Sequence, residues 1–183
     1  MRRFEVEIEG VPPGLLMHKF AIAEDPKTQD LKTTTKAIPK PEIEAEEGAY
    51  RLETGELYQP AEHIYQAMCK AAGEFQIKGR GKKTYRDSIR GNLLVEPECI
   101  LHGQKHYSID ARPARIQRAR IMRHRPLLPQ WKLTFELTLL DESAIPVQVL
   151  NAVIVKAGQS IGIGDYRPRF GRFIVTKFEE LKD

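Results

Sequence analysis

The sequence GIGDYRPRFGRF occupies Gly162–Phe173 and combines three glycines with three arginines. It lies between an apolar run, Val147–Ala157, which predicts a buried helix ending at Gly158, and a terminal run, Phe173–Phe178, which predicts a strand. Glycine permits positive φ angles and close backbone approach. An arginine guanidinium matches phosphate oxygens in bidentate geometry. The segment therefore predicts a loop shaped to hold a polyanion backbone.

The position of this loop excludes two common phosphate-binding folds. A dinucleotide fingerprint or a P-loop follows a strand and opens a helix, so that the phosphate lies at the helix N-terminus. This loop follows a helix and precedes a strand, and it lacks the Gly-Lys-Ser/Thr sequence of a P-loop. A purely structural role stays open, in which the glycines shape a tight helix-to-strand turn and the arginines are solvated.

Hydrophobic periodicity supplies the remaining elements. Strands are predicted over Arg3–Glu9, Asn92–Ile100, Lys105–Asp110, Arg115–Met122 with a bulge near Gln117–Arg118, Trp131–Leu140 and Phe173–Phe178, and helices over 60–75 and 147–157. Asn92–Ile100 and Lys105–Asp110 would pair around His102–Gly103 as an extra β-hairpin. Without this hairpin and a polar insertion at about 21–50, the order is βαββαβ. We therefore predict an α+β fold with a ferredoxin-like (RRM-like) core, as a single domain over 1–183.

Length and composition narrow the class of protein. The 183 residues suit one domain, and every apolar run is shorter than the ~20 residues of a membrane span. The N-terminus has no apolar segment typical of a signal peptide. Cys69 and Cys99 lie far apart, which predicts reduced thiols and not a disulfide framework or zinc site. We expect a cytoplasmic protein with no membrane partner and no cofactor.

Positive charge is concentrated in the C-terminal half. Residues 1–76 contain 9 Lys+Arg and 14 Asp+Glu, whereas residues 77–183 contain 20 and 11. Such segregation favours a polyanionic partner. The candidate nucleic-acid contacts are the loop residues Gly162, Gly164, Arg167, Arg169, Gly171 and Arg172, an arginine series Arg112, Arg115, Arg118, Arg120, Arg123 and Arg125, and a basic loop at about 77–91 with Lys78, Arg80, Lys82, Lys83 and Arg86.

Each basic set has a simpler interpretation. The arginine series could form surface ion pairs with the acidic N-terminal half, and the basic loop could be an ordinary solvated segment. Tyr85 within the basic loop would suit base stacking if that loop binds a single strand. The first strand argues against recognition through the sheet face, because its outward side chains, Glu5, Glu7 and Glu9, repel phosphate.

The sequence assigns no catalytic or metal-binding residue. His63 and His18 are the histidines best placed for a general base, but none of the five histidines has dyad or metal-ligand spacing. Asp25 and Asp30 in the insertion are candidates for a metal or cleavage site. A structural or solvated role is the alternative for all of these residues.

The loop and its neighbours resemble the CRISPR-associated RAMP superfamily. Gly162, Gly164, Arg167, Arg169, Gly171 and Arg172 match its glycine-rich loop, G-x-G followed by a basic spacer and a further glycine. Thr54–Ala72 resembles a second hallmark, an apolar strand that leads through a proline into a helix; the matching residues are Leu57, Tyr58, Pro60, Ile64, Ala67 and Lys70. Ala61-Glu62-His63 replaces the usual Gly-Ser-Ser. The family's target-cleaving members carry an acid after the first strand, roughly where Asp25 lies.

The resemblance implies a ferredoxin-like palm with an inserted thumb, in a backbone-like subunit that polymerises along a guide RNA, or an orphan relative carried by a phage or mobile element. Our leading hypothesis is a non-catalytic protein that binds single-stranded nucleic acid, RNA in preference to DNA. It would assemble along the strand into a filament or multi-subunit ribonucleoprotein. Two alternatives stay open: a metal-independent endoribonuclease of the guide-processing type, and a structural or interaction protein of a virus.

Overall fold

Four α-helices and three antiparallel sheets, of four, three and two strands, make up the computed structural model, which describes residues 1–19, 40–116 and 119–182. The strands are β1 Arg2–Gly10, β2 Leu15–Leu16, β3 Tyr58–Pro60, β4 Leu93–Glu96, β5 Cys99–Leu101, β6 Ser108–Ile116, β7 Ala119–Leu128, β8 Lys132–Leu139 and β9 Phe173–Leu181. The α-helices are α1 Pro41–Glu47, α2 Ala61–Ala71, α3 Arg86–Asn92 and α4 Val147–Lys156. The fold is therefore mixed α+β, as predicted.

The central sheet has the strand order β4-β8-β1-β9, and each neighbouring pair is antiparallel. Strand β8 lies between β1 and β4, which are parallel to each other, and β1 lies between β8 and β9. Each connection through a helix, β1 to β4 through α2 and β8 to β9 through α4, thus passes over one intervening strand. The last strand, β9, is an edge strand that pairs with β1, so the segment that leads into β9 lies beside the end of β1.

One face of this sheet forms the core. Phe4, Val6 and Ile8 pair with Leu137, Phe135 and Leu133, and all six side chains are buried. The buried side of α2, with Ile64 and Met68, and that of α4, with Leu150, Val153 and Ile154, belong to the same cluster. Strict alternation in β1 and β8 thus places the apolar side chains under the two helices.

The opposite face of the sheet is charged, as the alternation predicted. Glu5 lies 2.6 Å from Lys177 Nζ, and Glu7 lies 2.6 Å from Lys132 Nζ. In these cross-strand ion pairs, the β1 carboxylates are neutralised by lysines of the neighbouring strands. The sheet face therefore offers acids that are already paired and no row of exposed aromatic residues along β1.

The predicted hairpin around His102–Gly103 is wrong. Its first strand is two elements, since β4 pairs with β8 while β5 pairs with β3. The actual hairpin joins β6 and β7, with Ile116 paired to Ala119. The predicted strand Arg115–Met122 therefore contains a chain reversal. Gln117 and Arg118, where the bulge was predicted, lie outside the described part of the chain.

Two predicted loops end in helices. The insertion at about 21–50 contains α1, in which Ala45 is buried against the hairpin; residues 20–39, with Asp25 and Asp30, lie outside the described residues. The basic loop at about 77–91 runs into α3, whose Ile89 is buried. Both helices are only seven residues long, and tertiary contacts stabilise such short helices more than their own sequence does.

Gly158 does not end the last helix. Helix α4 continues as a π-helical turn over Ala157–Ile161, and the chain leaves it at Gly162 with φ of 72°. A Cβ atom at Gly158 would lie 2.3 Å from the carbonyl oxygen of Phe173. This glycine is therefore needed because β9 begins directly against the helix.

Candidate nucleic-acid interface

The glycine-rich loop, residues 162–173, is closed on itself and docked on the chain that follows β1. Ile163 N donates to Gly171 O at 2.9 Å, Gly171 N donates to Gly14 O at 2.8 Å, and Asp165 N donates to Leu16 O at 2.8 Å. Ile163 and Phe170 are buried beneath it. The loop is thus a rigid element anchored at the end of the central sheet.

Gly171 has an essential conformation at the base of this loop. Its φ is 75°, and a Cβ atom there would lie 1.7 Å from the carbonyl oxygen of Ile163. No other residue type fits without breaking the closure. The glycines therefore have the structural role that the sequence left open. The side chains of the arginines remain available for contacts outside the loop.

The three loop arginines project into solvent. Arg167, Arg169 and Arg172 are exposed, and within the described chain none of them forms an ion pair or a side-chain hydrogen bond. The acid of the same loop is already paired, because Asp165 Oδ2 lies 2.5 Å from Arg125 Nε of β7. The other oxygen of Asp165 accepts the Tyr166 N–H at 2.8 Å. The loop consequently presents unpaired positive charge.

A polar cleft of about 380 Å³ opens between this loop and α2. It is lined by Lys70, Ser160, Ile161, Gly164, Asp165, Tyr166, Arg167 and Pro168. Two cations, Lys70 and Arg167, and the Ser160 hydroxyl group thus line a space in the size range of ligand sites. A phosphate group is the ligand that this combination of donors suits best.

The arginine series divides into paired residues and residues outside the described side chains. Arg112 Nε lies 2.7 Å from Asp110, and Arg123 Nη1 lies 2.9 Å from Glu44 of α1. Arg125 is 9% exposed, and its ion pair with Asp165 has angles outside those of a hydrogen bond, so Nε has no hydrogen-bond partner among the described residues; Nη1 has none there either. Backbone pairing places Arg115 opposite Arg120, while Arg118 lies outside the described residues.

The hairpin and the glycine-rich loop meet through two of these arginines. The Arg125–Asp165 pair is one link. The other is the Arg112 guanidinium, which lies over the Phe170 ring at 4.5 Å from its centroid. The structure thus brings together two sets of residues that the sequence predicted separately.

The basic loop forms a separate surface. Lys78, Arg80, Lys82 and Lys83 are exposed on a turn closed by the hydrogen bond from Ile77 N to Lys83 O, 2.9 Å. In the described chain, none of the backbone hydrogen bonds of this turn runs to the glycine-rich loop.

The two side chains that follow this turn have packing roles. Tyr85, predicted to suit base stacking, packs against the core, and its N–H donates to Phe75 O at 3.0 Å. The exposed Arg86 opens α3 with its guanidinium against Gly73.

His63 is within electrostatic reach of the glycine-rich loop, through Arg167. It occupies the first turn of α2, its Nδ1 is hydrogen-bonded to the amide of Gln59, and its ring lies 5.4 Å from that of Tyr50. Burial lowers the pKa of His63, and the guanidinium of Arg167 lowers it further. The His63 imidazole is therefore neutral at neutral pH.

The remaining histidines and cysteines do not form a site. Burial lowers the pKa of His18, and the nearby Asp165 opposes that effect. Cys69 and Cys99 are free thiols, and Cys69 is buried. In the described ranges, no cluster of His, Cys, Asp and Glu could hold a metal ion.

Sequence reasoning missed Tyr166 and Ser160 in the cleft. Tyr166 is flanked by Asp165 and Arg167 in the quoted loop, so its position among charged residues was the available signal.

No protein-family model and no curated protein sequence matches this chain. Among the described helices, none has the length and apolar character needed to cross a membrane.

Proposed function

We propose that this protein is a cytoplasmic, non-catalytic protein that binds the backbone of single-stranded nucleic acid, RNA in preference to DNA, and assembles along the strand. The observation that carries the proposal is the set of three exposed arginines, unpaired with any described residue, on a loop whose acid already pairs with Arg125. Preorganised guanidinium groups bind phosphates without regard to sequence.

The proposed core is ferredoxin-like, in a backbone-like subunit related to the RAMP superfamily. The strand order β4-β8-β1-β9 supports this, since each helical connection passes over one strand as in a split βαβ unit. The glycine-rich loop then lies where the resemblance places it, between the second helix of the core and the last strand.

Assembly is supported by the hairpin. Strand β6 is at the edge of its sheet, and Ile109, Ile121 and Met122 of the hairpin are exposed. An exposed strand edge with apolar neighbours is a natural site for contact with another copy.

The test is fluorescence anisotropy with labelled 20-nucleotide RNA and DNA of several sequences at 50 to 200 mM salt. Wild-type affinity should fall steeply with salt. Replacing Arg167, Arg169 and Arg172 together with alanine should weaken binding to all sequences alike. It should also lower the slope of log K against log salt by about 2, at ~0.7 per phosphate contact.

A matched variant separates the loop from the net charge. Lys40, Lys105 and Lys182 are exposed, and replacing all three with alanine removes the same charge elsewhere. This control should bind nearly as well as wild type. Equal losses in both triple variants, a sequence-selective loss, or an absence of binding by the wild type would contradict the proposal.

The position of His63 favours a second candidate, a metal-independent endoribonuclease. A neutral His63 would remove the proton of a 2′-hydroxyl, and Arg167 would stabilise charge on the attacked phosphate. Labelled hairpin RNA incubated with EDTA would then yield 2′,3′-cyclic phosphate ends. His63→Ala would abolish them, whereas His106→Ala would not; no cleavage by the wild type rules out this candidate.

A further inference from the structure

Tyr166 differs from the other aromatic residues of the glycine-rich loop in its exposure. Phe170 and Phe173 are 1% and 2% exposed, whereas Tyr166 is 46% exposed and lines the cleft beside Arg167. Nothing in the packing of the core requires an aromatic ring at this position.

The backbone of Tyr166 makes an aromatic residue there costly. Its φ is 58°, and among the described residues it is the single non-glycine residue with a positive φ. A bulky side chain in this region is an outlier, and such strain concentrates at functional sites. Neighbouring groups hold the conformation, because Asp165 Oδ1 accepts the Tyr166 N–H and Tyr166 O accepts the Phe170 N–H.

The Tyr166 ring is also held in orientation. It meets the Phe170 ring edge-on, with centroids 6.2 Å apart and an interplanar angle of 84°. The guanidinium of Arg112, fixed by Asp110, lies 5.8 Å from its centroid. The ring is thus preorganised among cations, which is the environment of a base-stacking residue in single-strand binding sites.

We infer that Tyr166 is a stacking platform for one unpaired nucleobase, placed so that the base stacks on its ring while Arg167 and Arg169 hold the adjacent phosphates. This inference rests on the proposed function and deepens it by naming what selects the ligand. Phosphate contacts alone do not distinguish single strands from duplexes, whereas the face of a base is free only when the base is unstacked. The platform accepts any base, since every base has a π face.

The test compares two oligonucleotides with the same number of phosphates: a 20-nucleotide uridine RNA, and the same RNA with abasic riboses throughout. The wild type should bind the uridine RNA at least about fivefold more tightly, since stacking on aromatics spans about 5- to 150-fold per base. Tyr166→Ala should bind both RNAs equally, with unchanged affinity for the abasic RNA. Tyr166→Phe should keep the preference. Tyr166→Leu, which keeps bulk but no π face, should lose it.

Four results would overturn the inference: equal binding of the two RNAs by the wild type, a preference that persists in Tyr166→Ala and Tyr166→Leu, a loss of preference in Tyr166→Phe, or a salt slope that drops in the leucine variant. The last would mean that the ring only supports the loop arginines. Each of these leaves salt-dependent binding by the wild type intact. Failure of the proposed function itself is a different result, in which the wild type binds neither RNA.

Discussion

Arg125 Nε on the hairpin lies 2.5 Å from Asp165 Oδ2 in the glycine-rich loop. The two residues come from elements that are distant in sequence, and their contact joins the loop to the three-stranded sheet β2-β7-β6. Asp165 lines the cleft and is partly exposed, but its charge is compensated by Arg125 and not by the loop arginines. This pairing leaves the exposed arginines of the loop available to a polyanion.

Replacing Asp165 tests this link. Asp165→Asn keeps an oxygen for the Tyr166 N–H but leaves the buried guanidinium of Arg125 without a carboxylate. We expect a loss of about 2 kcal/mol in the free energy of unfolding, measured by urea denaturation. Glu180→Gln breaks the Arg2–Glu180 pair at an exposed site and should change stability little, because water screens such pairs. Equal effects of the two substitutions would show that the Arg125–Asp165 pair has no special role.

Gly171 gives a second prediction about the loop. Gly171→Ala combines an unfavourable φ with a Cβ clash at Ile163 O, and should lower the free energy of unfolding by more than about 2 kcal/mol. Gly79→Ala is the matched control, since its φ is 77° but nothing lies within 4 Å of the added Cβ. It should cost about 1 kcal/mol. A wild-type-like Gly171→Ala would mean that the loop opens without penalty.

The elements that sequence predicted best are those with regular burial. Strands β1 and β8 alternate strictly, and the predicted helix after Pro60 is confirmed as Ala61–Ala71 with a further 3₁₀ turn. The hairpin was missed because its strands are rich in arginine and proline and lack alternation. A chain reversal between Ile116 and Ala119 also shifts the alternation of apolar and polar residues by one position, as a bulge does. Helix α1 was missed because tertiary contacts stabilise it, which its own sequence does not show. In these contacts Glu44 binds Arg123 and His124 of the hairpin.

The site was predictable in its parts and not in its assembly. The glycine spacing and the charge of residues 162–173 indicated an outward-facing loop, and the order of elements placed it before the last strand. The ion pairs of Arg123 with Glu44 and of Arg125 with Asp165 depend on tertiary contacts of the hairpin, which the sequence left undefined. The role inferred for Tyr166 depends on its backbone φ angle, which the residue type does not indicate.

The exposed apolar side chains of the hairpin predict where copies meet. Ile109 and Met122 share one face of the hairpin. Met122 pairs with Pro113, which lies four residues after Ile109 in β6 and therefore on the same side of that strand. The double substitution Ile109→Lys, Met122→Lys should abolish the larger species that form with RNA in sedimentation velocity, while binding of a short RNA by single copies persists. Leu94→Lys, Leu140→Lys changes equally exposed leucines elsewhere and should leave assembly intact. Assembly that survives the hairpin variant would place the contact on another surface.

His102 gives a pH-dependent prediction. Its ring lies 6.3 Å from that of Trp131, neither ring nitrogen has a hydrogen-bond partner among the described residues, and burial lowers its pKa to about 4. The unfolded chain, with a histidine pKa near 6.5, therefore binds more protons than the folded protein between these two values. The stability from a neutral His102 is complete above pH 6.5 and is lost as the pH falls toward 4.

The loss should amount to about 3 kcal/mol between pH 7 and pH 4, in addition to the titration of carboxylates. His102→Phe keeps a planar ring beside Trp131 and removes the titrating group. Its free energy of unfolding should therefore fall by about 3 kcal/mol less than that of wild type over this range, when both are measured by urea denaturation at several pH values. His106→Phe, at an exposed position, controls for the loss of an imidazole. A constant difference between wild type and His102→Phe across the range would mean that the folded protein accepts a proton at His102 as readily as the unfolded chain does.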